Sequence, residues 1–207
     1  MAAVRLEARE LARTYGRRTV LKGVSFSAQA GQLWAVLGPN GSGKSTLLKV
    51  LAGLLRPSKG ATELEVDGRR MPGPERRVAL GLVSPEISTY EELTGLENLD
   101  FAARMRGEPR EPERLQAALE AVGLGRAAHV PSGSYSSGMK QRLKLALAVQ
   151  HRPALLLLDE PMALLDEEGR ACVRQMVERQ LVGGIVMWAT NDPSELPRER
   201  HEIHLGA

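Results

Sequence analysis

Residues 38–46 are the part of the chain with the clearest potential for chemistry. They read Gly-Pro-Asn-Gly-Ser-Gly-Lys-Ser-Thr and fit the pattern G-x-x-x-x-G-K-[ST], which binds phosphate when it lies between a strand and a helix. Glycines allow successive backbone N–H groups to turn toward one anion, and the N-terminus of the following helix adds positive potential. In such a loop the Lys44 amine reaches the outer phosphates and the Ser45 hydroxyl ligates Mg²⁺. The sequence therefore predicts a triphosphate and Mg²⁺ site whose nucleotide-binding residues are Gly38, Pro39, Asn40, Gly41, Ser42, Gly43, Lys44, Ser45 and Thr46.

Two adjacent carboxylates follow an apolar run later in the chain. Residues 155–158 are four leucines, and Asp159 and Glu160 come directly after them. A buried strand here delivers Asp159 beside the phosphate loop, where its carboxylate holds Mg²⁺ through water. Glu160 points to the other side of the strand end and can orient a water against the γ-phosphate. The alternative is that Glu160 is a solvated loop acid.

Short apolar runs on both sides of these motifs predict an α/β fold. The run at 33–37 precedes the phosphate loop, and a helical pattern follows it to residue 55. Alternation at 4–12 and 20–28 predicts an antiparallel edge layer, with Gly23 as a bulge. Further strands are expected at 63–68, 78–83, 155–158 and 185–189, with a closing strand around Ile203 and Leu205.

Residues 84–152 contain helical patterns and loops rather than strands. Thr94 and Glu97 have the spacing of a capping box, which marks a helix start. A loop of small residues at 132–138 precedes a long, mostly apolar helix. We therefore expect a helical insertion in the α/β domain. Besides the helix that follows the phosphate loop, helices are expected at 94–105, 112–123, 138–149, 169–180 and, briefly, from residue 192.

Length and composition limit the class of protein. The chain has 207 residues, enough for one α/β domain, and a mild formal charge of +3. The arginine pairs at 69–70 and 76–77 are short and separated, so a solvated surface is favoured over a nucleic-acid groove. A single cysteine favours a reducing compartment. There is no apolar leader or membrane-span pattern, so a membrane role is expected to require a partner.

Three motifs together resemble the nucleotide-binding subunit of an ABC transporter. They are the phosphate loop, Tyr-Ser-Ser-Gly-Met-Lys-Gln-Arg at 135–142, and Leu-Leu-Leu-Leu-Asp-Glu-Pro followed by Leu165 and Asp166. The second motif is the discriminating one, because most phosphate-loop proteins have nothing similar. The resemblance covers essentially the whole chain. It implies a P-loop NTPase (RecA-like) fold with a mostly parallel sheet, an antiparallel edge layer and an inserted α-helical subdomain.

This resemblance implies functions for further residues. Members of the family bind ATP and Mg²⁺ as head-to-tail dimers, each ATP lying between the phosphate loop of one copy and the signature loop of the other. Ser136 and Gly138 match the signature positions that contact the γ-phosphate, the alternative being a flexible linker. Tyr15 matches the aromatic residue that stacks on adenine, or simply caps the edge sheet. Asp166 matches an acid that links the two sites.

The same resemblance divides the chain and suggests its partners. A single domain at 1–207 is expected, with a nucleotide-binding core at 1–83 and 153–207 and a helical subdomain at 84–152. The helical subdomain matches the part that grips membrane subunits. We therefore expect a second ATPase copy, a homodimer, together with integral membrane permease subunits and no nucleic acid. The expected location is cytoplasmic, on the inner face of the cell membrane through these partners.

The sequence departs from the family at two positions that sense the γ-phosphate. Where the family has a glutamine after the strand entering the helical subdomain, this chain has Pro85 and Glu86. Glu86 can still contact the metal or its water, whereas Pro85 cannot. Where the family has a histidine after the last core strand, this chain has Asn191, which donates a hydrogen bond but carries no charge. Slow hydrolysis is expected, with Glu160 and Asn191 as the catalytic residues.

Three functions are compatible with these residues. The favoured one is the ATP-hydrolysing motor of a transporter, similar to ATPases of ABC-2-type exporters and of the haem-export system of cytochrome c maturation. The second is a nucleotide-gated binding subunit with weak hydrolysis. The third is a soluble ABC ATPase that serves translation, DNA repair or cluster assembly. The single cassette without a long coiled-coil insertion makes the first two of these roles less favoured.

Overall fold

Two β-sheets and the helices packed on them form the structure, a computed structural model that describes residues 3–109 and 111–206. The elements, in chain order, are β1 Val4–Tyr15, β2 Arg18–Gln29, β3 Leu33–Leu37, α1 Lys44–Leu51, β4 Lys59–Val66, β5 Arg69–Arg70, α2 Gly73–Ala79, β6 Leu80–Val83, α3 Gly95–Met105, α4 Pro112–Glu120, α5 Ser137–Val149, β7 Leu155–Asp159, α6 Glu167–Leu181, β8 Ile185–Thr190 and β9 His201–His204. Short 3₁₀ turns occupy Gly125–Ala127, Ser132–Ser134 and Pro193–Glu195.

The central sheet is parallel, with strand order β6-β7-β8-β3-β9. Its inner strands β7 and β8 are apolar on both faces because each face is covered. Side chains such as Leu156 and Trp188 enter one core with the helices α3 to α6. Leu157 and Met187, one residue along, enter a second core with α1 and the antiparallel sheet. This alternation explains why β7 and β8 read as unbroken apolar runs.

The second sheet is antiparallel, with strand order β2-β1-β4-β5. The predicted bulge at Gly23 is confirmed, because Leu11 pairs with Val24 and Ala12 pairs with Lys22, leaving Gly23 unpaired at φ +79°. Together the parallel sheet, antiparallel sheet and helices confirm the predicted α/β class.

Helices fill the chain between β6 and β7, as expected. The Thr94 side chain accepts from the Glu97 N–H, and the Glu97 carboxylate accepts from the Thr94 N–H, so the capping box of α3 is confirmed. The buried Asn98 side chain connects α3 to the loop before it, because its amide group donates hydrogen bonds to the carbonyl groups of Tyr90, Leu93 and Thr94. Within the described residues the only pairing outside the strands is an isolated bridge between Thr94 and Pro131.

Three expectations about local structure were wrong. The strand expected at 78–83 covers only Leu80–Val83, because residues 78 and 79 belong to helix α2. Arg76 on that helix is buried rather than solvated, and its guanidinium donates to the carbonyl groups of Leu51 and Thr62. The short last helix is a 3₁₀ turn, in which the Asp192 side chain accepts from the Ser194 N–H.

Candidate nucleotide-binding site

The parallel sheet brings the phosphate loop and the residues that follow three neighbouring strands to the carboxyl ends of its strands. The phosphate loop follows β3, Asn191 follows β8, Glu160 follows β7, and Pro85 lies two residues beyond β6. These four strands are neighbours in the sheet, so their carboxyl ends form one rim. A cavity of about 300 Å³ opens there, and we call it the nucleotide cavity. It is lined by Arg18, Val20, Asn40, Gly41, Gly43, Lys44, Ser45, Thr46, Pro85, Asp159 and Glu160.

The loop backbone makes two glycines necessary. Gly43 has φ +107°, and a Cβ atom there would lie 2.6 Å from Cγ1 of Val20. A Cβ atom on Gly38 would lie 2.6 Å from Oγ of Ser42. The Ser42 hydroxyl itself is buried and has no hydrogen-bond partner within the described residues. An unpartnered donor in a glycine cradle at a helix start fits a bound phosphate.

Lys44 is buried against the loop that it belongs to. Its Nζ atom donates to the carbonyl oxygen of Gly38 at 2.8 Å and lies 3.4 Å from that of Pro39. The Oε1 atom of Glu160 lies 3.8 Å from Nζ and forms an ion pair with it. This pairing compensates the buried ammonium group, and a phosphate oxygen can take over the same role.

Asp159 is the buried carboxylate of the site. Burial raises its pKa above the ordinary value, while a hydrogen bond from Ser45 and the charge of Lys44 oppose that rise. A desolvated carboxylate facing a serine hydroxyl supplies the hard oxygen ligands that Mg²⁺ prefers beside a phosphate. The residues present therefore fit Mg²⁺, although no group of three or more His, Cys, Asp or Glu side chains forms a metal cage among the described residues.

Glu160 occupies a strained backbone position at the rim. Its φ is +48°, in the left-handed region that a non-glycine residue rarely adopts, and its N–H donates to the carbonyl oxygen of Ala189. Burial raises the pKa of Glu160, and the charge of Lys44 and a hydrogen bond from Thr190 partly offset this effect. The carboxylate is thus held close to the loop in a partly dry setting, as a general base requires.

The residues expected to take the place of the γ-phosphate sensors make different contacts in the structure. The Nδ2 atom of Asn191 is 3.4 Å from Oδ1 of Asn40, which links the end of β8 to the phosphate loop. Glu86 is exposed, and its carboxylate accepts a 2.6 Å bond from Lys49 on α1. Pro85 lines the nucleotide cavity and Glu86 does not.

The remaining predicted residues lie outside the nucleotide cavity. The Tyr15 side chain is exposed, with the guanidinium of Arg13 4.6 Å from its ring centre. The Ser136 hydroxyl caps α5 by accepting from the Met139 N–H, and Gly138 lies beside the carbonyl oxygen of Leu164. Asp166 caps α6 through the Gly169 N–H. One copy of the chain therefore does not bring its signature loop to its own phosphate loop.

Thr190 is a site residue that the sequence did not reveal. It is fully buried, and its hydroxyl lies 2.8 Å from Oε2 of Glu195 and 3.3 Å from Oε2 of Glu160. The same oxygen accepts from the Asp192 N–H. The available signal was its place as the last residue of the strand beside β7, where the rim must lie. Arg18, which lines the cavity and donates to the carbonyl oxygen of Gly41, was missed as well.

The fold and site define a P-loop nucleotide-binding domain. Comparisons with known proteins identify its family: residues 21–163 match the family described as ABC transporter. The chain is 38% identical to the cytochrome c biogenesis ATP-binding export protein CcmA of Cupriavidus pinatubonensis, over 90% of this chain and 83% of that protein. It is 39% identical to an aliphatic sulfonates import ATP-binding protein of Pseudomonas entomophila, over 94% and 70% of the two chains.

A solved structure shares the whole architecture. It is an ATP-binding cassette, captured as a dimer in a post-hydrolysis state with ADP and Pi, and it superposes with a TM-score of 0.84 at 25% identity, covering 97% of this chain and 94% of that one. The chain belongs to the ATP-binding subunits of ABC transporters, a family that hydrolyses ATP. Each helix in the described part of the chain is too short or too polar to cross a bilayer.

Proposed function

We propose that this chain is the ATP-hydrolysing motor of an exporter, working as a homodimer around two ATP molecules. The observation that carries the proposal is the nucleotide cavity, in which the phosphate loop, Asp159 and Glu160 meet. Residues 1–83 and 153–207 act as the nucleotide-binding core, and residues 84–152 act as the helical subdomain.

Each residue of the cavity has a proposed role. The loop N–H groups, Lys44 and the Ser42 hydroxyl bind the phosphates. Ser45 and Asp159 hold Mg²⁺, which neutralises phosphate charge when it is bound. Glu160 accepts a proton from the attacking water, and its left-handed backbone and the Thr190 hydroxyl keep the carboxylate in place. Tyr15 stacks on the adenine.

The second half of each site comes from the partner copy. Ser136 and Gly138 start α5, where small residues and free N–H groups form a second cradle for an anion. Because they lie outside the cavity of their own copy, their proposed contact with the γ-phosphate requires a head-to-tail dimer. The dimeric cassette of the same fold supports this arrangement.

The test of the catalytic proposal is Glu160→Gln, which removes the carboxylate charge but keeps the side-chain shape. We expect ATP binding to persist, turnover to fall at least a hundredfold, as for loss of a general base, and an ATP-bound dimer to accumulate on size exclusion. Glu199→Gln, an exposed acid outside the cavity, is the matched control and should behave like the unmodified protein. Normal turnover of the Glu160→Gln protein would overturn the assignment.

Slow turnover is part of the proposal. Asn191 offers only an amide, and the Glu86 carboxylate is already paired with Lys49. Restoring an imidazole by Asn191→His should raise kcat, because a protonated ring donates to the γ-phosphate more strongly than an amide. An unchanged or lower kcat would refute a sensor role for position 191.

The same two residues favour a second candidate, a nucleotide-gated subunit that a partner ATPase assists. The two candidates differ in the turnover of the purified homodimer. Measurable hydrolysis that depends on Glu160 supports the motor, whereas ATP-driven dimerisation without turnover supports the gated subunit.

Membrane subunits are proposed to bind beside α3. Tyr90, Phe101 and Met105 are exposed apolar side chains around a cavity of about 420 Å³ that reaches Ile87 and α5. A protein exposes such patches where another protein binds. Phe101→Asp should abolish co-purification with the permease while leaving ATP binding intact, and Leu54→Asp, also exposed and apolar but outside this cavity, should not.

Export and location follow from this assignment. The 38% identical relative is named an export protein, and the 39% identical one an import protein, so the direction rests on the similarity of the signature stretch to exporter ATPases. Peripheral attachment to the cytoplasmic face of the membrane is proposed to depend on the permease. Fractionation of cells with and without the permease genes tests it.

A further inference from the structure

A groove of about 630 Å³ lies at the opposite end of the parallel sheet from the nucleotide cavity. Pro153 and Ala154, just before β7, and Gly183 and Gly184, just before β8, line it at the amino ends of those strands. We call it the distal groove. It is larger than the nucleotide cavity and lies within the range of volumes of small-molecule sites.

The walls of the distal groove are mostly small and apolar. Helix α4 contributes Ala117 and Ala118, Ala121 follows directly after it, and α6 contributes Met176. Val149 at the end of α5 lines the groove as well. Short side chains leave the space open, and the surface that they expose favours an apolar occupant.

The charged residues of the groove all have the same sign. Arg114, Arg152 and Arg179 line it, and no Asp or Glu among the described residues does. Arg114 is paired with Glu108 and Glu111. Arg152 and Arg179 are exposed and form no side-chain ion pair or hydrogen bond within the described part of the chain. Two guanidinium groups therefore remain available to an anion at an otherwise apolar groove.

We infer that the distal groove binds a soluble amphipathic anion, a molecule with an apolar body and a carboxylate or phosphate head. The apolar body packs against the α4 alanines and Met176, and the head binds Arg152 and Arg179. A neutral apolar molecule would leave both guanidinium groups unpaired. An inorganic anion would leave the apolar walls exposed to water. A cation is disfavoured by the three arginines. This site is independent of the nucleotide assignment, since it shares no lining residue with the nucleotide cavity.

The test is calorimetric titration of the purified protein with decyl phosphate and decanoate below their micelle concentrations. Decanol, which lacks the charge, and inorganic phosphate, which lacks the chain, are the matched probes. We expect binding of one or both amphipathic anions and at least tenfold weaker binding of decanol and of phosphate, as loss of a charge-assisted pair or of the apolar contact predicts.

Variants locate the site. Arg152→Gln with Arg179→Gln should weaken anion binding about tenfold, and the matching double lysine variant should restore most of it. Ala117→Trp, on the exposed side of α4, should block binding by filling the groove. Arg126→Gln removes the same charge outside the groove and should leave binding unchanged. Circular dichroism melts verify that each variant is folded.

Three results would overturn the inference. The first is decanol binding as tightly as the anions. The second is anion binding that survives both the double glutamine variant and Ala117→Trp. The third is sedimentation with phosphatidylglycerol vesicles, sensitive to the same arginines, in the absence of decyl phosphate or decanoate binding, because the ligand would then be a membrane surface rather than a soluble molecule.

Discussion

Thr190 offers the sharpest test of how the rim works. Its single hydroxyl hydrogen serves two carboxylates, Glu195 at 2.8 Å and Glu160 at 3.3 Å, while its oxygen accepts from the Asp192 N–H. Thr190→Val keeps the shape of this fully buried side chain and deletes the hydroxyl. The change therefore separates hydrogen bonding from packing.

The structure gives the expected size of the loss in stability and of the loss in turnover. Glu195 is half-buried and Asp192 is exposed, so both reach water when the hydroxyl is lost, and the free energy of unfolding should fall by only about 1 kcal/mol, near the net value of one hydrogen bond. In a domain of this size that lowers Tm by about 2–4 °C. Glu160 is mostly buried and loses the donor that fixes its carboxylate, so kcat should fall about tenfold, which corresponds to about 1.4 kcal/mol.

The assay is steady-state ATP hydrolysis with a thermal melt on the same preparation. KM for ATP should stay within about twofold, because the phosphate loop is untouched and only the hydrolytic step is affected. Thr190→Ser, which keeps the hydroxyl and removes a methyl group, is the control and should retain most of kcat. The reasoning is refuted if Thr190→Val hydrolyses ATP at the normal rate, or if Thr190→Ser loses as much activity.

Three further changes probe the site and its support. Because burial raises the pKa of Asp159, Asp159→Asn should increase the stability of the nucleotide-free protein to urea while abolishing Mg²⁺-dependent ATP binding, and a less stable apo variant would contradict this. Burial lowers the pKa of His151 from 6.5 to about 4, so the unfolded chain takes up the proton first. The free energy of unfolding should therefore fall as pH drops from about 6.5 toward 4, by at most about 1.4 kcal/mol per pH unit, and His151→Gln should remove that part of the slope in urea titrations. Gly81→Ala would drive a Cβ atom into the carbonyl oxygen of Ala148 and should cost about 2 kcal/mol or more in melts, whereas Gly73→Ala, with open space around it, should cost far less.

Local motifs made the main part of the site predictable. The phosphate loop follows an apolar strand, Asp159 ends another and Glu160 comes directly after it, and parallel strands present their carboxyl ends together. The capping box at Thr94 is equally local, since both partners lie within four residues. In these cases the information that fixes the structure lies in one short stretch of sequence.

Other features depend on contacts between distant residues and could not be read from the sequence. Helix α2 was missed because its buried side is held by Arg76, a residue that a hydrophobic pattern places on the surface. Its guanidinium is buried only because the carbonyl groups of Leu51 and Thr62 are there to accept its hydrogen bonds. Thr190 was missed for a similar reason, since Glu160 and Glu195 give its hydroxyl a role.

Several polar groups of the site are paired with one another. The Lys44 ammonium group donates to the Gly38 carbonyl oxygen and forms an ion pair with Glu160. The Asn191 side chain donates to that of Asn40, and Lys49 donates to the Glu86 carboxylate. Lys44 is the group that we assign to the outer phosphates, so a bound phosphate competes with Glu160 for the same ammonium group. The ion pair that keeps Glu160 beside Lys44 is the important one, because a phosphate that takes over Lys44 leaves the carboxylate of the base unpaired next to its substrate. We expect a phosphate that shares Lys44 to raise the proton affinity of Glu160, as the role of a base requires, while the positive charge of a bound Mg²⁺ opposes that rise.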